Sequence, residues 1–301
     1  MPARSSPWRL GGLTVRQLAV RVWESADGDE IVHRGAALSY SFLFSFFPLL
    51  LFVAALLSLV PVHHVIRQLM DSATQVLPDE AATAVRGALR QVIAKSGHRG
   101  LISLGAVTAL WAGSTGVATV MSMLNVVYRA RDERPWWKRR GIAVLLTVVF
   151  AAFVIASTLL IMLSARLSAA LGIAANTVTT VVPVVLVLVA VDLIYDVAPA
   201  GKRPWRWLTP GSVTFTVLWL AMSFGLRVYV GNFANYDVMY GSIGGLILFL
   251  LWLFFTSAVL LLGAEVNRVI AGAAEQPSVP PAHAAAPATP APSRAGTRRS
   301  A

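Results

Sequence analysis

Asp192 and Glu265 are short carboxylates set into long apolar runs, VVLVLVAVDLIYDV and SAVLLLGAEVN. An ionisable side chain within a bilayer is costly, and it is retained where it faces protein, meets a partner or lines a pathway. Two polar sets surround them. Asn125, Asp192, Asp196 and Glu265 fall near one end of the apolar runs, beside Arg139 and Arg140. Arg227, Asn232, Asn235, Tyr236, Asp237 and Tyr240 fall near the other, in and just before NFANYDVMYGS. The chemistry such groups offer is proton holding by a carboxylate and uncharged hydrogen bonding by Asn and Tyr. The first suits an ion-coupled path, and the second a polar vestibule or a lock between helices. Snorkelling and interfacial anchoring account for the same residues taken singly. At ~1.5 Å per helical residue, Asp192 lies only ~5 Å from the end of its run, and Asp192 and Arg227 stand some ~20 Å apart in opposite leaflets.

Covalent catalysis finds no footing. His33, His63, His64, His98 and His283 make neither HExxH nor any other zinc spacing. There is no GxxxxGK[ST] loop for a nucleotide and no GxSxG elbow. The chain has no cysteine, which excludes disulfides, thiolate chemistry and Cys-held metal. Asp192 and Asp196 lie four apart on one helix, not on facing helices as an acid-pair protease would need. The expectation is a protein without enzymatic activity, cofactor or metal site.

The elements that must position these groups are six apolar stretches, near 35–60, 101–128, 141–165, 177–195, 211–230 and 241–266. Each supplies the ~20 residues a helix needs to cross ~30 Å of hydrocarbon. Only 13% of residues are charged and the mean hydropathy is +0.68, against ~25% charged in globular chains. The expected fold class is all-α: a polytopic membrane bundle of six transmembrane helices. Between the first two spans, Val62, Val65, Ile66, Leu69, Ala73 and Val76, then Ala82, Val85, Leu89, Val92 and Ile93, recur at helical spacing. They predict an amphipathic hairpin on the outer face. The organisation is then a 1–34 N-terminal segment, a 35–270 membrane domain and a 271–301 Ala/Pro-rich disordered tail. Val15 to Trp23 fits a short surface amphipathic helix or an irregular basic tail. Pro48 predicts a kink in span 1. Gly105, Ala109 and Gly113, with Ala112 and Gly116, predict a close helix-packing face on span 2.

The net charge of +11 follows the loops. Arg129, Arg131, Arg134, Lys138, Arg139 and Arg140 share one short loop, and Lys202, Arg203 and Arg206 another. Basic clusters flank the first and last spans, while the alternate short loops hold Arg166 alone. Arg67, Arg86, Arg90, Lys95 and Arg99 in the hairpin weaken the asymmetry. The positive-inside rule predicts both termini in the cytoplasm. It also accounts for the basicity without nucleic acid, leaving membrane lipids and a solute as partners.

Several strings in order resemble the YihY/BrkB family of bacterial inner-membrane proteins, once named for a ribonuclease. They are RGAALSYSFLFSFFPLLL, LISLGAVTALWAGSTGVATVMSMLNVVYRARDERPWWKRR, DLIYDVAP, WRWLTPGSV and NYDVMYGSIGGLILFLLWLFFTSAVLLLGAEVN, covering about residues 30–270. The resemblance implies six spans with both termini inside. It picks out Tyr40, Asn125, Tyr128, Asp192, Tyr195, Asn235, Tyr236, Tyr240, Glu265 and Asn267 as family-like polar positions. The residues give the ribonuclease name no support, because phosphodiester cleavage needs metal-held carboxylates or acid–base pairs and the acids here are scattered. The expected function is transport or export of an amphiphilic or anionic solute, a lipid-like one included. The alternative is a structural scaffold for envelope proteins.

Overall fold

The computed structural model describes residues 7–58, 99–171, 173–201, 208–233 and 243–275. Every regular element among them is helical: a 3-10 segment Pro7–Gly12, then α1 Val15–Gly28, α2 Ile31–Ser58, α3 Arg99–Val127, α4 Trp136–Leu171, α5 Ile173–Val197, α6 Pro210–Phe233 and α7 Ile243–Glu275. By length and composition five stretches can cross a membrane: Ile31–Val53, Ala106–Val127, Trp136–Ser157, Pro210–Tyr229 and Gly244–Ala274. Helix α5, 25 residues long, carries the remaining apolar stretch. The fold is an all-α membrane bundle. The outer hairpin expected at 62–97, and the tail beyond 275, lie outside the described residues. Helix α7 itself continues through Ala271 and Ala273 to Glu275, where alanine's high helix propensity and packing favour it.

Helices α2 to α7 pack as a ring: α2 on α3, α3 on α4, α4 on α5, α5 on α6, α6 on α7, and α7 back on α2. One apolar cluster joins all six through Leu38, Met121, Leu146, Val191, Phe215 and Leu261. Small residues allow the closest crossings. A methyl at Gly113 would stand 3.2 Å from the Leu49 Cα, and one at Gly116 3.0 Å from the Ser45 Cβ. The predicted packing face of α3 is thus turned to α2. Helix α2 runs helical through Pro48. Trp219 of α6 donates its indole N–H to Thr256 of α7 at 3.3 Å, and Trp252 of α7 donates to Ser223 of α6 at 3.2 Å.

The segment before α2 is helical rather than irregular. Thr14 and Gln17 form a capping box, with Thr14 N–H donating to the Gln17 side chain at 3.0 Å and Gln17 N–H to the Thr14 hydroxyl at 3.3 Å. Val22 and Leu18 of α1 then cover Val266 and Ile270 of α7. The start of α2, the ends of α3, α5 and α7, and the starts of α4 and α6 all fall at one end of the ring. The cations of the α3–α4 loop are there, so this is called the basic end.

Candidate functional site

The buried polar residues at the basic end form three separate clusters. In the first, Asn125 is 7% exposed on the last turn of α3. Its Nδ2 donates to Asp132 Oδ2 at 3.1 Å and its Oδ1 accepts from the Ala200 N–H at 2.6 Å. Asp132 accepts from Arg134 Nε at 2.7 Å, and Arg134 Nη2 donates on to the Ala198 carbonyl at 3.0 Å. The α3–α4 loop is thereby tied to the end of α5. The Arg134 guanidinium hydrogen-bonded to Asp132 holds its carboxyl below the usual range, against a smaller opposing effect of burial.

The second cluster surrounds Asp192, 9% exposed near the end of α5. Its carboxylate accepts from the Leu208 N–H at 3.0 Å, the Thr209 N–H at 2.9 Å and the Thr209 hydroxyl at 2.8 Å. Leu208 stands at φ 60, a left-handed conformation unusual outside glycine. Asp192 holds that strained turn and lies at the positive start of α6. Thr209 in turn accepts from Asn267 Nδ2 at 3.1 Å, and Asn267 Oδ1 accepts from the Gly211 N–H at 2.8 Å. Only glycine fits at this crossing of α6 and α7: a methyl at Gly211 would collide with the Gly263 carbonyl, and one at Gly263 with the Tyr195 hydroxyl. Tyr195 donates that hydroxyl to the Leu260 carbonyl at 2.6 Å.

The third cluster is Glu265, 0% exposed on α7. Arg268 Nη2 lies 2.7 Å from Glu265 Oε2 and 3.8 Å from Asp29 Oδ2, at the corner between α1 and α2. Glu265 Oε1 and Asp29 Oδ2 are buried and accept no hydrogen bond among the described residues. Two carboxylates therefore converge on one guanidinium nitrogen.

Among the described residues no hydrogen bond or ion pair joins Asp192 to Glu265 or Asn125. The Asp192 network reaches α7 through Thr209 at Asn267, two residues beyond Glu265, and does not bond Glu265 itself. Asp196, a turn after Asp192, is half-buried and engaged by neighbours. Arg227 is exposed towards the far end of α6. Asn235, Tyr236 and Tyr240 lie outside the described residues. Asp29, Asp132 and Arg268 are partners that attention to acids inside apolar runs passes over. Arg268 carried a usable signal in its i,i+3 spacing from Glu265. Asp29 carried none, lying between two helices in a polar segment. No trio of His, Asp or Glu at metal-binding spacing occurs among the described residues. A shallow cavity of about 320 Å³ opens at the basic end between Arg131, Glu133, Arg134, Pro135, Lys138, Ala200 and Gly201.

The profile of the virulence factor BrkB family matches residues 22–288. The chain belongs to that family. Relatives of this BrkB-family chain include the "Putative ribonuclease-like protein YfkH" of Bacillus subtilis, 28% identical over 83% of this chain and 94% of the relative. A "UPF0761 membrane protein" of Stenotrophomonas maltophilia is 27% identical over 85% of this chain and 61% of its own length. Another, RSc1559 of Ralstonia nicotianae, is 25% identical over 81% of this chain and 56% of its own length. The chain thus spans roughly three fifths of the UPF0761 relatives it matches. No solved structure matches it. Membership and the apolar helices together make this an integral, multi-pass membrane protein.

Proposed function

We propose that this protein carries an anionic amphiphile, a lipid-like molecule included, across the bacterial inner membrane, with both termini in the cytoplasm. The observation that supports transport most directly is the Glu265–Asp29–Arg268 cluster. The buried Glu265 and the half-buried Asp29 meet the same guanidinium, and each has a buried oxygen without a hydrogen bond. The two negative charges repel, and the nearby Arg34 guanidinium donates to the Asp29 carbonyl rather than to either bare oxygen, so a proton on Glu265 relieves the crowding. A Glu265 carboxyl that exchanges a proton, placed at the joint between α7 and the α1–α2 corner, is suited to couple proton movement to a shift of these helices. The Lys and Arg of the 129–140 loop support the cytoplasmic assignment of the basic end. Reporter fusions after Ala130 and after Asn235 test the orientation: cytoplasmic signal at the first and external at the second are expected, and the reverse overturns it.

The scaffold reading is favoured by a different observation. Asn125 and Asp192 direct their hydrogen bonds to loop and helix-start groups and leave no carboxylate oxygen of Asp192 open. Proteoliposomes separate the two. With fluorescent phosphatidylglycerol as probe, the wild type is expected to move lipid between leaflets faster under a proton gradient. Glu265→Gln is expected to lose the gradient dependence while remaining folded. No movement by the wild type, with or without a gradient, overturns transport of this class of lipid and leaves the scaffold.

A further inference from the structure

The start of α4 places a cation deep along α3, away from the three clusters above. Arg140 lies inside the apolar stretch Trp136–Ser157. Its Nη2 donates to the Trp111 carbonyl and, at 3.4 Å, lies against the Thr115 hydroxyl. Its guanidinium carbon stands 4.2 Å from the centroid of the Trp111 ring. Thr115 is twelve residues before the end of α3 at Val127, about 18 Å along the helix at ~1.5 Å per residue. Arg140 is only the fifth residue of α4, so it is the reach of its side chain along α3 that carries the charge away from the basic end.

That charge has no anionic partner among the described residues, and Arg140 Nε is buried without a hydrogen bond. Its neighbours are a carbonyl that already accepts from the Ser114 hydroxyl at 2.8 Å, a second hydroxyl and an aromatic face. A cation in that setting is stabilised by the ring but keeps its charge. The surroundings are also open on the side a bilayer would occupy. Trp111 is 53% exposed, and Thr115 is exposed beside it. Thr115, Thr119 and Ser122 share this face of α3 at helical spacing, and Arg139 donates to the Ser122 hydroxyl lower down. A row of hydroxyls thus runs along the α3–α4 seam from the basic end to Trp111, with Arg139, which also lies 4.0 Å from Asp132, low on it and the unpaired Arg140 at its far end.

We infer that the α3–α4 seam at Arg140 and Trp111 binds the phosphate headgroup of an anionic lipid, with Arg140 as its countercharge and Trp111 against its glycerol and upper acyl chain. A guanidinium matches phosphate oxygens in geometry and charge. A half-exposed indole beside it favours an amphiphile that is polar at one end and apolar at the other. A free phosphate uses the guanidinium but gains nothing from the exposed indole of Trp111. The assignment stands on this geometry alone, whether or not the protein transports.

Native mass spectrometry of the full chain, released from micelles with phosphatidylglycerol or phosphatidylcholine, reads the site directly. The wild type is expected to retain phosphatidylglycerol in preference to phosphatidylcholine, and Arg140→Gln to bind it about tenfold more weakly or worse. Trp111→Leu, which leaves the charge, is expected to weaken both lipids together. Added inorganic phosphate is expected to leave the bound lipid in place. Equal retention of both lipids by the wild type overturns the inference even where Arg140→Gln fails to fold. Full retention of phosphatidylglycerol by folded Arg140→Gln overturns it as well. Displacement by inorganic phosphate overturns the lipid assignment, and a lipid-free dimer broken by Trp111→Leu would give the seam to a second copy of the chain instead. Because the readout needs no gradient, and Glu265→Gln is expected to retain the lipid, failure here is distinct from failure of transport.

Discussion

Replacing Asp192 with asparagine keeps the side chain's size and removes one acceptor. In the native protein Oδ1 takes the Thr209 N–H and hydroxyl at 2.9 and 2.8 Å, and Oδ2 takes the Leu208 N–H at 3.0 Å. An asparagine oxygen in place of Oδ1 retains the two Thr209 bonds. Its NH2 then faces the Leu208 N–H, donor against donor, at a residue already held at φ 60. Losing a hydrogen bond to a charged acceptor costs about 1.5–3 kcal/mol. Losing the negative charge at the start of α6 costs a further ~0.3–1 kcal/mol. Asp192→Asn is therefore expected to destabilise the protein by roughly 2–4 kcal/mol, with less of it inserted. The assay is reversible unfolding in mixed micelles, run on Asp192→Asn, Thr209→Val and the double variant. Asp192 and Thr209 belong to one network, so the double variant should cost less than the two singles together, by about 0.5–3 kcal/mol. Any transport measured for Asp192→Asn should scale with the folded protein. Wild-type stability combined with abolished transport would refute this reasoning, because Asp192 would then serve the substrate or a proton rather than the turn before α6.

Two further outcomes follow from the same end of the bundle. Gly211→Ala places a methyl into the Gly263 carbonyl and the Asn267 amide, and should destabilise by at least ~1–3 kcal/mol as overpacking does, whereas Gly225→Ala meets nothing within 4 Å and should melt like the wild type; equal melting of both variants would contradict the close α6–α7 crossing. Asp132 is held below its ordinary range by Arg134, so its contribution is present above its unfolded value near about pH 4 and is lost as pH falls through the lower folded value; thermal melts should show this acid-side loss in the wild type and a shallower one in Asp132→Asn, and identical acid limbs would exclude the pair as its source.

Fold class was legible from the amino-acid order alone, and so was the short list of polar residues that needed partners. Long apolar stretches admit little but helices, because backbone polar groups in hydrocarbon must be satisfied within the segment. A carboxylate such as Glu265, set in SAVLLLGAEVN, stands out because the cost of burying it does not depend on its partner. The small residues of α3 were legible for a similar reason: Gly113 and Gly116 have no side chain to keep α2 away. What each polar residue meets was decided by the tertiary structure. Asp192 and Glu265 look alike in sequence, each an acid that follows a long apolar run near the end of a span. Yet Asp192 is saturated by Leu208 and Thr209, which the turn before α6 folds back onto it. Glu265 keeps a bare oxygen because the α1–α2 corner brings Asp29, another acid, to the same arginine. Arg140 shows the same limit. In sequence it is one of six cations in a loop that orients the protein. Only the pairing of α4 with α3 carries its guanidinium to Trp111, 29 residues earlier. Periodicity and transfer cost are local to a segment, whereas a partner is chosen by how separate helices cross.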